Sequence, residues 1–410
     1  MTTVPSVEPD GLLAELVATP EGRAHPYPLY ARLRSVAPVH RSAFGFWTLS
    51  RYDDCQALMR HPGVGKDFSE AVNSLVLTEE QRVAQDRFRN DRFNMLTTDP
   101  PDHTRLRGLV TRAFTPRTVE TMRARIVALV DELLDTFGTG EVDVMDTLAF
   151  PLPVTVIGDM LGVPAEDRPG LRPLVRAVTA VLELAVTAED LTEATAANIE
   201  LEEYFAGLVA ERRAHPRDDL LTKLIEAEDK GDQLSEAELI STAILLFAAG
   251  FETTTHLIGN GLSALLSHPD EMARLRADRS LVRPAVDELL RFDSPVQIAA
   301  RTVYEDLSLG GHQIEAGSLV MALLGAANHD PARFRDPGRL DVGRDEGPPM
   351  SFGGGIHFCL GAALARLEGQ VVLDRLLDRF ATMELVGLPV TYRDSLTLRG
   401  LVDLHVRFAA

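Results

Sequence analysis

Helical spacing dominates the pattern of apolar and polar positions along this chain. Apolar residues at i, i+3, i+4 and i+7 predict helices over 119–137, 164–186, 192–213, 219–228, 235–266, 270–276, 282–291 and 360–379. Alternation with period two is confined to short stretches. Residues 38–51 (P-V-H-R-S-A-F-G-F-W-T-L-S-R) alternate around a glycine and read as a hairpin. Residues 307–314 bracket Gly310-Gly311, a two-residue turn, ahead of a strand-like S-L-V-M-A-L-L. No repeat, low-complexity tract or linker interrupts the pattern. The prediction is a mainly α fold in a single domain, residues 1–410, with small peripheral β-sheets and a loosely ordered extension over 1–25.

The longest predicted helix has an anomaly at its middle. Ser235 and Glu238 form a capping box at its start, and the apolar pattern continues to Leu266, about 48 Å of helix. Halfway along, the sequence reads A-A-G-F-E-T-T-T. Gly250 and three threonines are poor helix formers, so helix hydrogen bonding is expected to open there, beside the Glu252 carboxylate and the Thr253 hydroxyl. On residue type alone, the threonines could equally bond back to carbonyls one turn earlier.

A second concentration of chemistry lies at residues 352–361, F-G-G-G-I-H-F-C-L-G. Cys359 follows a glycine-rich loop and precedes an alanine-rich helical stretch. A helix N-terminus there favours thiolate over thiol. The glycines let backbone approach a large flat object, and a thiolate so presented is a soft ligand for iron. A lone cysteine is usually a buried small hydrophobe, but here Phe352, Gly355, His357, Cys359 and Gly361 occur together. Glu288 and Arg291 share a helix face at i,i+3, a spacing of little weight when exposed. In D-P-P-D-H-T-R-L-R, His103 and Arg107 are one turn apart and can face one anion or simply water.

Composition narrows the setting. The formal charge of −20 argues against nucleic acid as a partner, and two cysteines, Cys55 and Cys359, are too few for a disulfide framework. Cys55 falls on an amphipathic helical reading and is expected in the core. The N-terminus lacks a basic, apolar leader, and no run of about 18 apolar residues predicts a membrane span. The expectation is a cytoplasmic monomer with no membrane and no nucleic acid.

From about Pro26 to Phe408, these motifs resemble the cytochrome P450 family, in particular its soluble bacterial branch and the tailoring enzymes of actinomycete secondary metabolism. The resemblance implies a P450 fold with the long helix lying over a haem b. It makes Cys359 the proximal iron ligand, with Phe352 packed on the sulfur side and the Gly361 N–H near the sulfur. It assigns His103, Arg107, Arg301 and His357 to the haem propionates. Glu252 and Thr253 match the oxygen-activation motif, where a hydroxyl positions water and an acid renews the proton supply. Glu288 and Arg291 match a buried structural pair bracing the meander behind the cysteine loop. Asn328-His329-Asp330-Pro331 and Phe334 also match, with His329 where Arg is usual. Pro349-Met350-Ser351 departs from the usual His-Leu-Ala and leaves the start of the loop open.

The implied activity is a monooxygenase that inserts one oxygen atom of O2 into a C–H bond of a bulky apolar polyketide, macrolide or terpenoid. By resemblance, pocket walls come from residues 68–93, 164–203, Ala248, Ala249, Val296, Gln297, Ile298, Ala299, Leu396 and Thr397, with Gln297 as a polar anchor. No G-x-G-x-x-G opens a helix and no flavin domain follows residue 410, so electrons are expected from a ferredoxin and its flavin-dependent NAD(P)H reductase. Arg105, Arg112, Arg117 and Arg366 are candidates for its docking face. The alternatives are a peroxide-driven haem enzyme, disfavoured by the acid–alcohol pair, and a non-catalytic haem-binding or ligand-sensing protein.

Overall fold

The computed structural model describes residues 9–68, 94–111, 114–138, 140–183, 186–228 and 234–409. Its axis is the helix Glu236–Leu266, which starts at the predicted capping box: Ser235 Oγ accepts from the Glu238 N–H, and the Glu238 carboxylate accepts from the Ser235 N–H. Apolar residues all round let this helix be covered on several sides by Pro151–Leu161, Ala188–Ala214, Val282–Phe292 and Ala362–Arg379. At the crossing with Pro151–Leu161, a Cβ on Gly250 would come within 2.7 Å of Ile157 Cγ1. Close approach of two helices therefore explains the glycine.

The expected opening at Gly250 is not observed. The helix runs unbroken from Glu236 to Leu266, and Thr253 and Thr254 donate to the carbonyls of Ala249 and Gly250 at 3.1 and 3.3 Å. Tertiary packing holds a locally poor helical sequence. By length and composition this helix could also cross a membrane. Here it lies in the core, with Glu252 and His256 buried on it.

Other elements follow the pattern with shifted ends. The stretch read as 119–137 divides at Met122 into Pro116–Thr121 and Arg123–Asp135, and 164–186 contracts to Arg168–Ala180. Residues 9–24 were expected to be loosely ordered and are not. Pro9–Ala18 and Pro20–Ala24 are helices, with Leu12, Leu13 and Leu16 buried. Arg399 donates to the carbonyls of Arg23 and Ala24, pinning this segment to the C-terminal region.

The sheets are small. Val39–Arg41, Phe46–Leu49, Leu319–Leu323, Ile298–Val303 and Val64–Gly65 form a five-stranded sheet in that spatial order, antiparallel except for the Phe46–Leu49 and Leu319–Leu323 pair. Leu307–Leu309 and His312–Ile314 make the expected hairpin. Gly140–Asp143, His405–Ala409 and Thr382–Leu385 form a three-stranded sheet that the pattern did not reveal, because two of its strands bury no residue fully.

Candidate active site

The cysteine loop spans two short 3₁₀ turns, Met350–Phe352 and Gly355–His357, and runs into the helix Ala362–Arg379. Gly355 adopts φ of 67°, and a Cβ there would lie 2.0 Å from the Met59 carbonyl oxygen, so only glycine fits. The Cys359 N–H closes the loop on the Phe352 carbonyl at 3.0 Å. Ile356, Phe358 and Cys359 are exposed, while the His357 side chain between them turns inward. Cys359 has accessible area yet is crowded by protein atoms, as a group at the floor of a cleft is. That crowding pushes its thiol pKa up, opposed by the N–H groups of Gly361 and Ala362 and the charges of Arg107 and Arg366. The helix start supplies the expected help to the thiolate, but desolvation outweighs it. Arg366 lies over the Phe352 ring at 4.5 Å and pairs with Asp287 at 2.7 Å.

Beside the loop is a group of basic side chains with few side-chain partners among the described residues. The rings of His103 and His357 stand 4.3 Å apart, and His103 Nδ1 and Nε2 and His357 Nε2 are buried without a hydrogen-bond partner among the described residues. Arg301 is buried and donates to the Ala300 carbonyl at 2.8 Å. Burial, followed by the charge of Arg301, pushes Lys66 down to about 7. Burial pushes Arg301 down to about 10. Burial, then Lys66, Arg301 and His103, pushes His357 down to about 3. Asp99 is the carboxylate opposing these shifts, and its Oδ1 is 3.8 Å from His357 Nε2. Arg107 reaches the Phe358 carbonyl at 2.5 Å rather than joining the two histidines. Sequence reasoning missed Lys66, whose only local signal was its place beside the strand Val64–Gly65.

On the central helix, Ala249 is exposed and Thr253 partly so, one turn apart, although most of the helix is buried. Glu252 points elsewhere. Its carboxylate is 3% exposed, bonds Arg393 Nη1, and lies 3.5 Å from His256 Nε2. Burial would raise its pKa, but His256 and Arg393 prevail and hold it at about 2. The group expected to renew protons is thus locked as a carboxylate in this arrangement. Arg393 and His256 went unread in the sequence because they lie 141 and 4 residues from Glu252, respectively, in no recognisable motif.

Glu288 and Arg291 are buried together, at 2.6 and 2.8 Å. Arg291 spends its remaining N–H groups on the carbonyls of Asn328, Pro337 and Arg339. The Glu288 carboxylate also accepts from Arg344 and the Asp341 N–H. This pair ties the 328–344 segment to the helix before the loop. His329 bonds the Phe292 carbonyl at 2.9 Å and packs on Tyr27, and burial pushes it down to about 4.

The expected pocket residues diverge. Ala249 faces open space and Val296 is half-buried, whereas Ala248, Ile298 and Leu396 are buried in the core. Gln297 is fully buried; its amide N–H groups go to Tyr27 Oη and the Ser294 carbonyl, and its Oε1 has no partner among the described residues. Residues 69–93, also expected at the pocket, lie outside the described residues, as does Arg112. Of the docking candidates, Arg105 pairs with Glu238 and Arg366 with Asp287, while Arg117 is exposed. Among the described residues, no group of three or more His, Cys, Asp or Glu side chains could hold a metal ion, so iron coordination by several side chains finds no support there.

The profile of the family described as "Cytochrome P450" matches residues 58–398. The chain is 44% identical over 392 residues to "Cytochrome P450 107B1" of Saccharopolyspora erythraea, covering 92% of this chain and 94% of that one. It is 40% identical over 396 residues to "Cytochrome P450 monooxygenase PikC" of Streptomyces venezuelae, covering 94% and 91%. The ligand-free crystal structure of CYP164A2 from Mycobacterium smegmatis superimposes with a TM-score of 0.89 at 39% identity, covering 97% of this chain and all 100% of that one.

Proposed function

The chain belongs to the cytochrome P450 family, and from that premise we propose that it is a soluble, cytoplasmic, monomeric haem b monooxygenase acting on a bulky apolar secondary metabolite, with electrons from a ferredoxin and a flavin-dependent reductase. One observation carries the reading at residue level. Beside the Cys359 loop, three buried histidine nitrogens lack partners among the described residues, and Lys66 and Arg301 are desolvated, opposed by the carboxylate of Asp99. Leaving such groups bare costs free energy unless an anion completes them. A flat group with a dianionic edge and an iron for the thiolate fits that donor set.

When bound, the haem supplies the iron chemistry that activates O2 for transfer to carbon. The chain does the rest. Cys359 would be the ligand, and the N–H groups of Gly361 and Ala362 favour negative charge on its sulfur. His103, His357, Arg301 and Lys66 would hold the propionates, and Arg107 fixes the Phe358 carbonyl next to Cys359. Phe352 and Arg366 pack as a stacked pair on the sulfur side. Ala249 and Thr253 present a small surface and a hydroxyl to the open face. Glu252 can carry a proton only after Arg393 withdraws, since a carboxylate held at about 2 is almost wholly ionised at neutral pH. Glu288 and Arg291 are structural.

A peroxide-driven reaction is the second reading, and the Arg393–Glu252 pair favours it, because peroxide brings its own protons. One experiment separates them: purified protein is given a panel of polyketides, macrolides and terpenoids with either a ferredoxin chain and O2 or peroxide alone. Product dependent on the redox chain is expected. Product with peroxide only would replace the monooxygenase reading, and no product with either across the panel would overturn the substrate class.

A further inference from the structure

The cysteine loop begins in a closed hydrogen-bond hub where the chain departs from the family's usual residues. Ser351 and Ser294 each donate to the Leu290 carbonyl at 2.6 Å. Asn328 spends both amide hydrogens on these hydroxyls, at 2.6 Å to Ser294 and 2.9 Å to Ser351. Its Oδ1 accepts the Met350 N–H at 2.7 Å, which fixes the orientation of the amide. All three side chains are buried, and their hydrogens are all used. Leu290 lies in the last turn of Val282–Phe292, where carbonyls lack helical partners, so the serines complete that end.

The two hydroxyls have the same acceptor and the same donor, but different positions in the chain. Ser294 follows the helix and lies outside the loop. Ser351 is inside the Met350–Phe352 turn, adjacent to the Phe352 carbonyl that receives the Cys359 N–H at 3.0 Å. The turn is closed by the Gly353 N–H on the Met350 carbonyl at 2.8 Å. Between Glu288 and Arg291 lies Leu290, so the hub joins the start of the ligand loop to the braced helix.

We propose that Ser351 is a positioning residue for Cys359: through Leu290 and Asn328 it sets the Phe352 carbonyl, and through that the seat of the sulfur. The consequence for iron ligation rests on the haem-thiolate reading; the positioning itself does not. In this chain a buried hydroxyl thus does at Ser351 what apolar packing would have to do with alanine. Losing it leaves one Asn328 N–H buried without an acceptor and frees the turn on one side.

Ser351→Ala and Ser294→Ala form a matched pair for the test. Both leave one Asn328 hydrogen unpaired, so both are expected to lower the thermal midpoint by similar amounts. Amide hydrogen exchange at Cys359 in the haem-free chain should rise ~tenfold in Ser351→Ala, about the worth of one buried hydrogen bond, and stay within about twofold of the parent in Ser294→Ala. With haem added, the ferrous carbonyl of Ser351→Ala alone should show a larger share of the thiol-ligated form. Equal Cys359 exchange in the two variants would overturn the proposal. If haem fails to bind but the exchange rates differ, positioning stands and the haem reading falls. Should Ser351→Ala not fold, Ser351→Cys keeps a weak donor and is expected to show intermediate exchange; exchange at the parental rate would overturn the proposal.

Discussion

Behind the cysteine loop, Glu288, Arg291, Asn328 and Ser351 are buried and hydrogen-bonded throughout; beside it, three buried nitrogens of His103 and His357 lack partners among the described residues, next to a buried Arg301 and a half-buried Lys66. Both regions cost desolvation, and only the first recovers it within the chain. A satisfied buried network fixes geometry, whereas an unsatisfied basic one marks where a ligand that accepts hydrogen bonds belongs. The contrast separates residues that build the site from residues that await its occupant.

Changes at the seam between the two regions should have the largest effect. Cys359→Ala is expected to abolish redox-chain-dependent product formation while leaving the far-UV circular dichroism unchanged. Next comes the satisfied side. Arg291→Ala leaves Glu288 with Arg344 as its remaining cation and strips the carbonyls of Asn328, Pro337 and Arg339 of their donor, so it should cost about 3 kcal/mol or more in denaturant unfolding, or prevent folding. The unsatisfied side should respond with the opposite sign. His103→Leu removes two buried nitrogens that have no partner among the described residues, so the haem-free chain should be as stable as the parent or more so, while haem retention falls ~tenfold. A large loss of stability there would break the comparison.

Two smaller effects depend on pH. His329 has its folded pKa depressed to about 4, from an ordinary 6.5, chiefly by burial. The unfolded chain therefore binds the extra proton more readily, and stability should fall as pH drops from about 6.5 towards 4. His329→Gln, which can still donate to the Phe292 carbonyl, should flatten urea midpoints across that window. At Glu252, Arg393→Gln leaves burial less opposed and should move the carboxyl pKa upward. Infrared titration should then show its protonated band nearer neutral pH, and Glu252→Gln in the same background should remove it.

The helical architecture could be read from the sequence because 3.6-residue periodicity survives over long segments, and the capping box at Ser235 located the start of the axis within a residue. The three-stranded sheet of Gly140–Asp143, His405–Ala409 and Thr382–Leu385 could not, since its strands are short, mostly half-exposed and far apart in sequence. At the site, Cys359, His357 and Phe352 lie within one loop and reveal themselves together. Lys66 and Arg393 reach their clusters only through tertiary structure and leave no local mark. The departure at Pro349-Met350-Ser351 left the loop's start open in the sequence, because the bonds that hold Ser351 there come from Leu290 and Asn328, far away in the chain.

The most direct test of the central claim, that the basic side chains around His103 and His357 together with Cys359 seat a haem, is optical titration of the haem-free chain with haem, followed by reduction under carbon monoxide. The account predicts uptake of one haem per chain and the spectrum of a thiolate-ligated ferrous carbonyl. A chain that takes up no haem, or one whose ferrous carbonyl is unchanged by Cys359→Ala, would contradict it.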